Sequence, residues 1–226
     1  KAQRADEWGW VATDADKRTA HLVIGAKLVL KGNTSAHWSE WTDENKVVIK
    51  GKGSARLIYG YGGSGRDVQY SGIIFENGSS VNDAGHTGGG AIYAMNCNKG
   101  FATNCVFRNC SAGGDAYGSV GGGATFCVTL KDCLFENCTA VGYGGGAYLD
   151  GSSNYGSPTN SAIGCVFRNC SAGAQGGAVF AKNLQAYGTP NAGVIDGCMF
   201  LTNVAGTCGG AVCADGKLCD VLDNAL

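Results

Sequence analysis

Charge of either sign is scarce in this chain: 15% of its 226 residues are charged, the net charge is −1 and the pI is near 6.3. That leaves no basic field for nucleic acid and no block of like charge for a membrane surface. No segment approaches the ~20 apolar residues needed to cross a bilayer, so no membrane insertion by this chain is expected. The 12 cysteines include no Cys-x-x-Cys pair. The three histidines, His21, His37 and His86, are not spaced to complete a zinc set, so neither metal nor cofactor is expected. There is no initiating Met and no signal-like apolar run at Lys1, which reads as a processed product or an excised piece.

What the chain has is glycine, 39 residues of it against two prolines, clustered at one phase of a repeat. A Phe-x-Asn element occurs at Phe75-Glu76-Asn77, Phe107-Arg108-Asn109, Phe135-Glu136-Asn137 and Phe167-Arg168-Asn169, with a looser copy at Phe200 to Asn203. The steps are 32, 28, 32 and 33 residues. Between these copies runs Gly-Gly-Ala, ending at Ala91, Ala124, Ala147, Ala178 and Ala211. A period of this size indicates a solenoid.

Strand alternation places Cys105, Phe107 and Asn109 on one face and Val106 and Arg108 on the other. The same phase recurs at Cys133, Phe135, Asn137 and at Cys165, Phe167, Asn169, with Cys198 and Phe200 keeping two of the three positions. Identical residues at identical phase stack when each repeat is one coil. The predicted fold is therefore all-β, a single-domain right-handed parallel β-helix of about seven coils. Asn77, Asn109, Asn137 and Asn169 are expected to point inward as a buried amide ladder beside the Phe column, and the sequons that they begin are expected to be buried too. Residues 1–20, with Trp8 and Trp10, are expected to cap the first coil. The β-helix is expected over 21–226, uncapped at its C-terminal end, where open strand edges could also pair with another chain.

The run from Phe135-Glu136-Asn137-Cys138 to Gly145-Gly146-Ala147-Tyr148 resembles the repeats of the chlamydial polymorphic outer-membrane proteins and related β-helix surface proteins, which alternate GGA-[ILV] with FxxN motifs. The first motif is met at Gly89 to Ile92, Gly176 to Val179 and Gly209 to Val212, with Thr125 and Tyr148 replacing the aliphatic residue elsewhere. Only Phe200 to Asn203 meets FxxN literally. The resemblance spans roughly Gln69 to Asp223 and implies an extracellular or cell-surface stalk used in adhesion, with a glycan or a host or cell-surface protein as its partner.

The cysteines fall in two columns, Cys105, Cys133, Cys165, Cys198 and Cys110, Cys138, Cys170. They read as small buried core residues or as disulfide rungs, the latter among Cys208, Cys213 and Cys219 near the end. The inserts at 33–45, 61–67, 151–160 and 183–193 are expected to follow the Gly-Gly-Ala strand and emerge from one corner. That corner would carry His37, Trp38, Trp41, Tyr61, Tyr155 and Tyr187, aromatic rings suited to sugar faces or, alternatively, packing over the side of the helix. No two carboxylates are evidently paired for glycoside hydrolysis, and Glu136 reads as an ordinary outward strand position. The expectation is a non-catalytic surface or adhesion module that binds glycan. The alternatives are a carbohydrate-active enzyme (polysaccharide lyase or glycoside hydrolase) and a subunit that polymerises end to end.

Overall fold

The structure, a computed structural model, describes residues 20–24, 28–60, 67–81, 88–94, 99–113, 121–150, 160–182, 194–215 and 220–222. Apart from Ala20, the expected cap lies outside the described residues. The strands stack in four parallel sheets, so the molecule is a β-solenoid. One coil runs through Thr125–Phe126, Thr129–Lys131, Leu134–Glu136 and Thr139–Ala140, contributing one strand to each sheet in turn. The first and second sheets hold seven strands, the third six and the fourth four. Of the seven or so coils expected, four are complete on all four faces. The other three contribute two or three strands each.

Side-chain alternation separates core from surface. The inward row of the third sheet is Phe75, Phe107, Phe135, Phe167 and Phe200, in direct register and 0–3% exposed. Their rings stack at 5.2, 4.7, 4.6 and 5.4 Å between centroids. The second sheet contributes Tyr70, Ala102, Leu130, Ala162 and Ile195 to the same core, again in register. The inward row of the first sheet includes Thr125 between Ile92 and Ala147, and its buried hydroxyl has no hydrogen-bond partner.

The asparagines correct the expectation of a buried ladder. Asn77, Asn109, Asn137 and Asn169 have φ of 52–58°, the left-handed region. They form the corner between the third and fourth sheets, and all but the half-buried Asn77 are exposed. Asparagine is tolerated there because its short polar side chain bonds locally and lowers the penalty for left-handed backbone. What remains of the ladder lies outside the core: Asn137 Nδ2 donates to Asn109 Oδ1 at 3.3 Å, and Thr202 Oγ1 donates to Asn169 Oδ1. Three of the four sequons expected to be buried therefore begin at solvent-exposed asparagines, Asn109, Asn137 and Asn169. The inward position is the next one along, and it belongs to the second cysteine column. The thiols of Cys110, Cys138 and Cys170 lie 3.8, 3.5 and 3.8 Å from the carbonyls of Phe75, Phe107 and Phe135 of the preceding coil and 3.4, 3.5 and 3.6 Å from those of Arg108, Glu136 and Arg168, two acceptors for each S–H. Asn203 Nδ2 donates to the Phe167 carbonyl at 3.0 Å.

Glycine forms the corner leading into the first sheet. Gly176 has φ of 66°, and a Cβ on Gly177 would sit 2.0 Å from the Gly210 carbonyl oxygen, so both positions need glycine. The register also re-aligns one repeat. Ala147 pairs with Thr125 and Val179, and Tyr148 pairs with Phe126 and Phe180. Tyr148 therefore occupies the aromatic position of its coil and does not replace an aliphatic residue.

Candidate ligand-binding face

The outward row of the first sheet consists of Tyr59, Tyr93, Phe126, Tyr148 and Phe180, continued in register by Cys213. Parallel register stacks the first four rings at 5.1, 5.0 and 4.7 Å between successive centroids, while Phe180 lies tilted by 41° against Tyr148 at 5.2 Å. All five are at most 6% exposed although they point away from the core. At one end of the row the buried Arg56 lies over the rings of Tyr59 and Tyr93, 5.4 and 4.9 Å from their centroids. Its guanidinium also donates to the carbonyls of Gly88 and Gly89 at 2.7 and 2.8 Å.

At the other end the row opens into a pocket of about 430 Å³. Tyr148 and Phe180 are among its lining residues, and the Tyr143 ring leans on Phe180 at 4.7 Å between centroids. On the incoming side of the strands stand Gln175, Cys208 and Cys213, while Lys182 and Asp215 stand at the outgoing end. Asp150, Lys182 and Asp215 are neighbours in register, one per coil, giving a row of alternating charge. The Tyr148 hydroxyl is pushed to a higher pKa, first by burial and then by the negative charge of Asp150, so it stays protonated and able to donate.

The Cys208 and Cys213 sulfurs are 3.4 Å apart as free thiols. Burial, then the hydrogen bond with Cys208, pushes the Cys213 thiol up to about 11. Cys219, the third expected partner, lies outside the described residues. The column thiols differ from this pair. Cys105, Cys110, Cys133, Cys138, Cys165, Cys170 and Cys198 are all buried, in agreement with the core reading of these residues. Burial pushes the thiols of Cys133 and Cys138 up, which keeps them neutral.

The expected aromatic corner divides. The strand Leu28–Lys31 pairs with Asp67–Ser71 and so belongs to the second sheet. The insert at 33–45 therefore follows a strand of the second sheet, whereas Arg56–Gly60, Ala147–Asp150 and Val179–Lys182, the strands before the other three inserts, belong to the first. Tyr61, Tyr155 and Tyr187 lie outside the described residues. His37, Trp38 and Trp41 lie over the outer face of the third sheet, where both tryptophans pack against the buried outward row Ile74, Val106 and Leu134. Asn104 pins this insert, accepting from Trp38 N and donating to the Ala36 carbonyl, both at 2.8 Å. Trp41 Nε1 donates to the same carbonyl at 3.1 Å. These two rings thus serve the fold, as the packing alternative held, and His37 remains exposed.

Glu136 is also more specific than an ordinary outward residue. The outward row Lys50, Glu76, Arg108, Glu136, Arg168 alternates in charge. Glu136 accepts from Arg108 at 3.0 Å and from Arg168 at 2.5 Å, and Lys50 meets Glu76 at 3.3 Å.

Among the described residues no group of three or more His, Cys, Asp or Glu is placed to hold a metal ion, and no helix is long and apolar enough to cross a membrane. Comparison of the chain with protein-family models, with curated proteins and with solved structures finds no match.

Proposed function

We propose that the chain is a non-catalytic surface or adhesion module that binds glycan, with its site on the outer face of the first sheet. The observation that carries this reading is the pocket itself. Tyr148 and Phe180 are among the residues that line a cavity of about 430 Å³, and Gln175, Lys182 and Asp215 supply donors and acceptors around it. Sugar C–H faces pack on aromatic surfaces, and rim groups satisfy hydroxyls. An extracellular or cell-surface setting is supported by the repeats, which resemble those of β-helix adhesins. The partner is then a glycan presented on another surface.

A second reading, a glycoside-cleaving enzyme, draws on Asp150 and Asp215. They stand two coils apart in one column, which is about 10 Å at the usual strand spacing and close to the separation that inverting enzymes use. One experiment separates the two. The chain is screened on an array of neutral and acidic oligosaccharides, and the bound glycan is recovered and analysed. The binding reading expects intact glycan, with affinity lowered about tenfold in Lys182→Ala and in Asp215→Ala, because each removes a charged hydrogen-bond partner, and left unchanged in Trp38→Ala plus Trp41→Ala. No retained glycan, or affinity indifferent to both rim residues, overturns it. Cleaved glycan establishes the enzyme instead.

A further inference from the structure

We propose that Cys208 and Cys213 form a thiol–disulfide exchange site on the pocket wall, Cys208 attacking a low-molecular-weight disulfide and Cys213 resolving the mixed disulfide into an internal bridge. Three observations converge on this pair. Cys208 is the one exposed cysteine among the described residues, whereas the seven column thiols are buried. The remaining thiol, Cys127, is half-buried and packs against the aromatic row. Reactivity follows access, so among the described residues exchange chemistry is favoured at the pocket wall.

The backbone holds the two sulfurs together. Cys208 is bridged to Gln175 of the preceding coil, and its carbonyl accepts from Gly176 N at 3.0 Å. Cys213 is fixed in the strand Val212–Asp215 opposite Phe180. Between them the chain turns back at Gly209, with φ of 66°. The 3.4 Å between the sulfurs closes to the roughly 2.05 Å of a disulfide by a small side-chain movement. The roles are asymmetric. Cys213 keeps its proton near neutrality, its pKa lying at about 11, and its S–H can donate to the Cys208 sulfur, which favours Cys208 as the attacking thiolate.

The chemistry balances. The Cys208 thiolate attacks one sulfur of RSSR, forming Cys208–S–SR and releasing RS⁻, which takes up a proton. Cys213 then loses its proton and attacks the Cys208 sulfur, forming the bridge and expelling the second thiol. The two cysteines are oxidised by two electrons, and RSSR is reduced to two RSH. Gln175 Oε1, 3.6 Å from the Cys213 sulfur, is the alternative acceptor for the same S–H, so closing the bridge removes that donor and leaves the Gln175 carbonyl to the pocket. This effect on a ligand rests on the glycan reading; formation of the bridge does not.

The full chain is incubated with glutathione disulfide, quenched with N-ethylmaleimide, unfolded and digested with trypsin. Cleavage after Lys182 and Lys217 places Cys198, Cys208 and Cys213 on one peptide and Cys219 on the next. The expected product is the first peptide lighter by two hydrogens, with maleimide on Cys198 alone. Cys213→Ser should stop at a stable glutathione adduct on Cys208, and Cys208→Ser should give no product. A persistent Cys208 adduct in the unaltered chain, a bridge to Cys219, or two free thiols after incubation would overturn the proposal. Because the readout is mass, it is decided whether or not any glycan binds.

Discussion

Asn203 stands one coil beyond Cys170 and does the same work: its Nδ2 donates to the Phe167 carbonyl as the Cys170 thiol reaches that of Phe135, and its Oδ1 accepts from Cys170 N at 2.9 Å. One site of the coil thus accepts either a thiol or an amide, because both are small donors that reach the carbonyl of the coil before.

This equivalence predicts that Cys170→Asn changes unfolding stability by less than about 1 kcal/mol, a hydrogen bond being exchanged for a hydrogen bond. Cys170→Leu at the same buried site forces extra volume into a filled layer and should cost about 1–3 kcal/mol. Urea midpoints of the two variants decide the point; equal losses would mean that the position is set by volume alone.

The Asn137 corner makes a second prediction. Its φ is 53°, so Asn137→Ala places a Cβ in the left-handed region and should lose about 1–2 kcal/mol, whereas Asn137→Gly should lose less. Thermal unfolding of the pair measures the order. A glycine variant less stable than the alanine variant would show that left-handed backbone strain does not set the cost at this corner.

The buried thiols predict a one-sided response to pH. Burial raises Cys133 and Cys138 above the ordinary value of 9.0, so folded and unfolded chains bind the same protons below that value and stability there does not depend on these groups. Above it the unfolded chain gives up protons that the folded chain retains, and stability falls by up to about 1.4 kcal/mol per pH unit for each such thiol. Urea unfolding between pH 7 and pH 10.5 under reducing conditions should show a plateau and then a decline, and Cys138→Asn should make the decline shallower.

The repeat was legible because Phe75, Phe107, Phe135, Phe167 and Phe200 carry both the period and the inward face. The sign of φ was not. Asparagine serves equally in a buried ladder and at a left-handed corner, and spacing alone does not distinguish Asn109 from Cys110 as the inward residue. The insert at 33–45 was placed at the wrong corner because Leu28–Lys31 resembles Val48–Lys50 and Arg56–Gly60, and no Gly-Gly-Ala marker precedes it; only its pairing with Asp67–Ser71 identifies the sheet. The aromatic row did leave a trace in the sequence. Tyr93, Phe126 and Phe180 each lie two residues after the alanine of Gly-Gly-Ala, and Tyr148 joins them once its coil is shifted by one. The rim of Lys182 and Asp215 becomes visible only when coils are stacked, since these residues are far apart along the chain.

The alternating row Lys50, Glu76, Arg108, Glu136, Arg168 bears on how such a chain can change length. Duplicating a single coil would set two arginines or two glutamates side by side, and like charges facing each other across strands are unfavourable. Duplicating or deleting two neighbouring coils keeps the signs in order. On this face recombination that lengthens or shortens the solenoid is tolerated best in even steps, and a coil inserted alone would need a compensating charge reversal before its neighbours accept it.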